Sequence, residues 1–178
     1  MSLGSIAEGF AEIEAGVDAH SDIDAISYGT FSIAVRVRGL LATGRFDDAL
    51  AAVDEGLATS DQRDERFYLA ELLRLKGETL AMNGRAPEAE RWLREAISVA
   101  AQQEAKLFQL RSIVSLYRLL PPDRGAAVLQ EQLAPVFRWF AADVVAPDLT
   151  EARSLLAVTD GPRIPALTDD SGTEFYTT

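Results

Sequence analysis

The chain has 178 residues, 48% of them hydrophobic and 25% charged, with a formal net charge of −11; this suits one globular domain with a sizeable core. The charge disfavours partners recognised by bulk attraction to a polyanion, so neither nucleic acid nor an anionic membrane surface is expected. Zero cysteines and a single histidine, His20, exclude a disulfide framework, thiolate chemistry and a His- or Cys-based metal cluster.

Helical periodicity predicts helices near 3–19, 25–43, 46–59, 63–82, 87–102, 105–120, 124–141 and 148–158. The first is acidic: residues 1–28 carry Glu8, Glu12, Glu14, Asp18, Asp22 and Asp24 and no base. His20 falls near its end, where a cation suits the helix dipole. Asp47 and Asp48 open the third helix and Pro87 with Glu88 and Glu90 the fifth, residue types that favour a first helical turn. Pro121-Pro122 ends the sixth, and Pro135 is expected to kink or split the seventh. Trp92, Phe137, Trp139 and Phe140 stand at helical spacing and read as core. The start Met1-Ser2-Leu3-Gly4 lacks the basic, apolar pattern of a secretory signal, and no window holds the roughly 18 apolar residues of a membrane span. The expected location is cytoplasmic.

The chain matches itself at a step of 40 residues: Gly44-Arg45 falls on Gly84-Arg85. Ile33, Val37 and Leu40 fall on Leu73, Gly77 and Leu80, then on Ile113, Tyr117 and Leu120. Ala49, Val53 and Leu57 fall on Ala89, Leu93 and Ile97, then on Leu129, Leu133 and Phe137. The third copy departs from the pattern, with Arg124 in place of the glycine. Stepping back places Gly9, Ile13 and Val17 in the second-helix lane, so the chain is expected to open halfway through a repeat. Each unit therefore reads as two antiparallel helices joined at a glycine. Stacked units give an all-α solenoid of about seven or eight helices over residues 1–158, and residues 159–178 form an acidic tail.

The 40-residue unit resembles the tetratricopeptide repeat (TPR), whose small and large residues are met at Gly44, Phe46 and Ala49 and again at Gly84 and Ala89. Residues 44–50, 70–78 and 89–90, with Leu133-Ala134-Pro135-Val136-Phe137-Arg138-Trp139-Phe140 and Pro147-Asp148-Leu149-Thr150-Glu151-Ala152, resemble a more specific region. It is the C-terminal helical-repeat domain of bacterial class III adenylate cyclases and ATPase-type transcriptional regulators, and the likeness spans residues 4–158. The resemblance implies a non-catalytic interaction or sensing module. The cyclase, ATPase and DNA-binding activities of those proteins do not carry over, because the modules that perform them are not in this chain.

The sequence offers little chemistry. It has no Gly-x-x-x-x-Gly-Lys phosphate loop, no calcium-loop spacing and no pair of carboxylates set to converge for acid–base work, so no enzyme, cofactor or metal is expected. In paired-helix solenoids the first helix of each pair lines the concave groove. The positions offset from the core lane are Phe31, Ala34 and Arg38, then Glu71, Arg74 and Glu78, then Arg111, Val114, Ser115 and Arg118. Arginine presents a planar fork suited to carboxylate or phosphate. Either a protein or peptide partner or a small anionic ligand could use it. Alternatively, Arg74 pairs with Glu71 and Glu78 on its own helix and the groove is merely a solvated ion-pair network. Lacking the groove asparagines and lysines of chaperone-binding TPR clamps, the chain is not expected to bind a chaperone C-terminus. The acidic tail, with Ile164, Leu167, Phe175 and Tyr176 as anchors, is a further candidate occupant of the groove. An open apolar end would also permit a homodimer.

Overall fold

A computed structural model describes residues 29–159. The expected first helix, His20 and the acidic tail beyond Thr159 lie outside the described residues. Within them the chain is entirely helical: α1 (Gly29–Ala42), α2 (Phe46–Arg63), α3 (Leu69–Met82), α4 (Ala86–Gln102), α5 (Lys106–Leu119), α6 (Pro122–Val128), a π-helical turn (Leu129–Leu133), α7 (Ala134–Phe137) and α8 (Pro147–Thr159). Consecutive helices pair as α1/α2 and α3/α4. The first helices stand side by side, α1 against α3 and α3 against α5, which makes the molecule a helical-repeat solenoid.

The repeat is written into the turns. Gly44 and Gly84 have φ of 74° and 75°, and Asp64 and Glu104 have φ of 52° and 55°. Each follows a helix, and the next amide bonds back to a carbonyl five residues earlier: Arg45 to Leu40, Glu65 to Ser60, Arg85 to Leu80 and Ala105 to Ala100, at 2.9, 3.0, 2.9 and 2.9 Å. This is the left-handed helix stop in which orphan carbonyls find donors. Four such stops stand twenty residues apart, so each helix taken with its turn spans twenty residues although the helices themselves run from 14 to 18.

The core lanes hold. Val37, Leu40, Ala49, Ala52, Val53, Leu72 and Leu75 form one cluster between α1, α2 and α3. Leu93, Leu110, Ile113, Leu116, Leu129, Leu133, Leu149 and Ala152 form the next, reaching α8. Gly77 lets α3 and α4 touch, since a Cβ there would stand 2.6 Å from Leu93 Cγ and 3.2 Å from the Ala89 carbonyl.

The outcome departs from the sequence reading in four places. The third predicted helix runs on to Arg63, and the next begins only at Leu69, because the left-handed residue Asp64 intervenes. The seventh is split ahead of Pro135, as expected, into α6, the π-helical turn and α7, but it does not reach 141. A proline at 135 cannot donate to the Glu131 carbonyl and its ring crowds that oxygen, and the wider π turn ahead of it accommodates both. The helix then ends at Phe137, so Trp139 lies outside it and is 65% exposed rather than in the core. Ala34, expected in the groove, is buried in the first cluster.

Candidate functional site

The side-by-side first helices and α8 enclose a cleft of about 250 Å³, lined by Arg38 of α1, Arg74 and Glu78 of α3, Leu110, Arg111, Val114, Ser115 and Arg118 of α5, and Asp148 and Glu151 of α8. Side chains one turn apart on a helix share a face, so the core lane at 37/40 and 73/80 leaves 38, 74 and 78 on the adjoining stripe. The forty-residue step then brings Arg38, Glu78 and Arg118 to equivalent places on successive helices.

Arg74 is the centre of the floor. Its Nε and Nη2 donate to Glu71 Oε2 and Oε1 at 2.8 and 2.7 Å, and its Nη1 donates to Glu78 Oε1 at 2.5 Å. Ser115 Oγ accepts a longer bond from Arg74 Nη1, 3.3 Å, and donates to Glu78 Oε1 at 2.6 Å, tying α5 to α3. Burial opposes ionisation of Glu71. The Arg74 hydrogen bonds and charge, joined by the charges of Arg111 and Arg38, outweigh it and hold the carboxyl below the usual glutamate range. Burial likewise disfavours the Arg74 cation, but Glu71, Glu78 and Asp148 push its pKa upward and keep it charged.

At the α5 side, Arg111 Nε and Nη2 grip Asp148 Oδ1 and Oδ2 at 3.0 and 2.7 Å. That fork holds Asp148 below the ordinary aspartate range and raises Arg111. Arg118 Nη2 donates to Glu151 at the mouth, where the two side chains are 58% and 39% exposed. Arg38 is exposed and, among the described residues, makes no ion pair.

Of the residues named from sequence, Arg38, Arg74, Glu78, Arg111, Val114, Ser115 and Arg118 line one cleft. Glu71 lies buried beneath Arg74. Phe31 does not line it; its ring stands edge-to-face with Tyr68, 5.3 Å between ring centroids. Sequence reasoning missed Asp148 and Glu151. The available signal was their i, i+3 spacing on a helix starting close to one repeat after Lys106, which puts two carboxylates on one face beside the arginines.

The arrangement suits recognition. Two forks are already closed by internal carboxylates, and the mouth offers Arg38, which makes no ion pair among the described residues, together with Arg118 in an exposed pair. Among the described residues, no group of three His, Cys, Asp or Glu side chains converges as a metal site would, and no helix is long and apolar enough to cross a membrane. In comparisons with known proteins, no family model, curated protein or solved structure matches the chain.

Proposed function

We propose that this chain is a non-catalytic, TPR-like interaction or regulatory module of cytoplasmic bacterial signalling, of the kind its repeats resemble, and that it takes a protein or peptide partner on the face formed by α1, α3 and α5. One observation carries the reading: successive first helices deliver Arg38 and Arg118 to the mouth of a single cleft while Glu71 and Asp148 hold Arg74 and Arg111 rigidly behind them. Preformed side chains lose little freedom when a partner docks, and this favours specific contact over chemistry. A deep small-anion sensor is the weaker reading, because an ion reaching Arg74 or Arg111 would have to displace a bidentate carboxylate.

The test is affinity capture in parallel with the wild type, with Arg38→Glu/Arg118→Glu, and with Arg91→Glu outside the cleft as a control. Partners lost from the cleft variant alone, by tenfold or more in quantitative mass spectrometry, are expected. Identical captures from all three would overturn the proposal. Calorimetry with inorganic phosphate addresses the small-anion reading. Heat of binding that Arg38→Glu/Arg118→Glu abolishes would favour that reading instead.

A further inference from the structure

The mouth of the cleft has room for an occupant of limited size. Its volume is about 250 Å³. A segment laid across it inserts a few side chains. The chemistry asked of those side chains follows from the walls. Arg74–Glu71 and Arg111–Asp148 are closed pairs. Arg38 makes no ion pair among the described residues, and the exposed Arg118–Glu151 pair at the rim can exchange at small cost, since such pairs contribute at most about 1 kcal/mol. The vacant valence is therefore for carboxylates.

We propose that residues 160–178 of this same chain are the resident ligand of the cleft, with Asp169 and Asp170 set against Arg38 and Arg118. The inference rests on the reading of this face as the binding surface. Three observations single out this occupant. The segment follows α8 directly, and α8 is itself a wall of the cleft through Asp148 and Glu151. It carries Asp160, Asp169, Asp170 and Glu174 against one base, Arg163. And it can reach: Glu151 lies about 12 Å back along α8 from Thr159 at 1.5 Å per residue, while the ten residues from 160 to 169 span up to about 33–36 Å. Tethering makes the encounter intramolecular, so weak individual contacts suffice. A partner with its own carboxylates must then displace the tail, which makes it a built-in competitor.

The absence of native cysteine allows Ser171→Cys in the full chain to carry a single nitroxide label, read through paramagnetic broadening of backbone amides. The expected result is broadening around Arg38 and Arg118 that persists on tenfold dilution and is lost in 1 M salt, where screening acts within about 3 Å. Asp169→Asn/Asp170→Asn, which leaves the solenoid untouched, should remove it, as should Arg38→Glu/Arg118→Glu. Unbroadened α1 and α5, or broadening that survives both variants, would overturn the proposal. Broadening that fades on dilution would also overturn it, assigning the tail to a second copy. If the label stays away while the cleft variant still loses its captured partners, only the resident-ligand inference fails.

Discussion

Arg74 and Glu71, three residues apart on α3, hold each other through two parallel hydrogen bonds of 2.8 and 2.7 Å, with only 9% and 2% of their side chains exposed. Such a pair is a liability if halved. Removing one partner leaves a buried charge uncompensated, at about 3–5 kcal/mol, whereas apolar replacement of both is often neutral. Arg74→Met should therefore lower stability by about that amount, and Glu71→Leu/Arg74→Met should recover most of the loss. Urea unfolding checks this, and equal losses in the two variants would remove the pair as the cause.

Acid should loosen the same region. Glu71 and Asp148 both sit below their ordinary values of 4.5 and 3.8 in the folded chain. A depressed folded pKa means that the unfolded chain takes up protons first. The stabilisation is complete above the ordinary values, declines as pH falls below them, and is gone once pH passes the folded values. The urea midpoint should accordingly drop below about pH 4.5, and the drop should be shallower in Glu71→Gln/Asp148→Asn than in the wild type. Matching slopes would contradict the assignment.

Gly77 tests the closeness of α3 and α4. The Cβ of Gly77→Ala would meet Leu93 at 2.6 and 2.8 Å and backbone at 3.2 Å, an overpacking worth about 1–3 kcal/mol. Leu93→Ala made alongside it should cost less than the sum of the two single changes, because the truncated side chain vacates that space. A double-mutant cycle with no coupling would count against this contact.

The left-handed stops predict opposite signs at equivalent places. Gly84→Ala meets nothing within 4 Å, but its φ of 75° costs a side chain about 1–2 kcal/mol. Glu104 already bears that strain at φ 55°, so Glu104→Gly should stabilise by up to about 1 kcal/mol. Thermal unfolding that moves the same way for both substitutions would refute the shared conformation.

Much of this architecture is legible in one sequence because a helix repeats its environment every turn and a solenoid repeats it every unit. The glycines at 44 and 84, the small residues Ala49 and Ala89, and the apolar lanes at 37/40, 53 and 93 each state a local requirement that the structure meets. The same local logic was blind at Asp64 and Glu104, which adopt a glycine's conformation without a glycine's signature. At Pro135 it foresaw a break but not its form, a π turn over 129–133 in which the response to the proline is shared along a whole turn.

Electrostatics divided in the same manner. Arg74 with Glu71 and Glu78 could be read from spacing on one helix, since i, i+3 and i, i+4 side chains are neighbours in any helix. Periodicity also identified the stripe that carries Arg38, Arg111 and Arg118. Only the tertiary packing of α8 against α5 decided that Asp148 and Glu151 would occupy two of those arginines and leave Arg38 without an ion pair among the described residues. A net charge of −11 says nothing of this, because charge sums over the chain while pairing depends on which helices stand side by side.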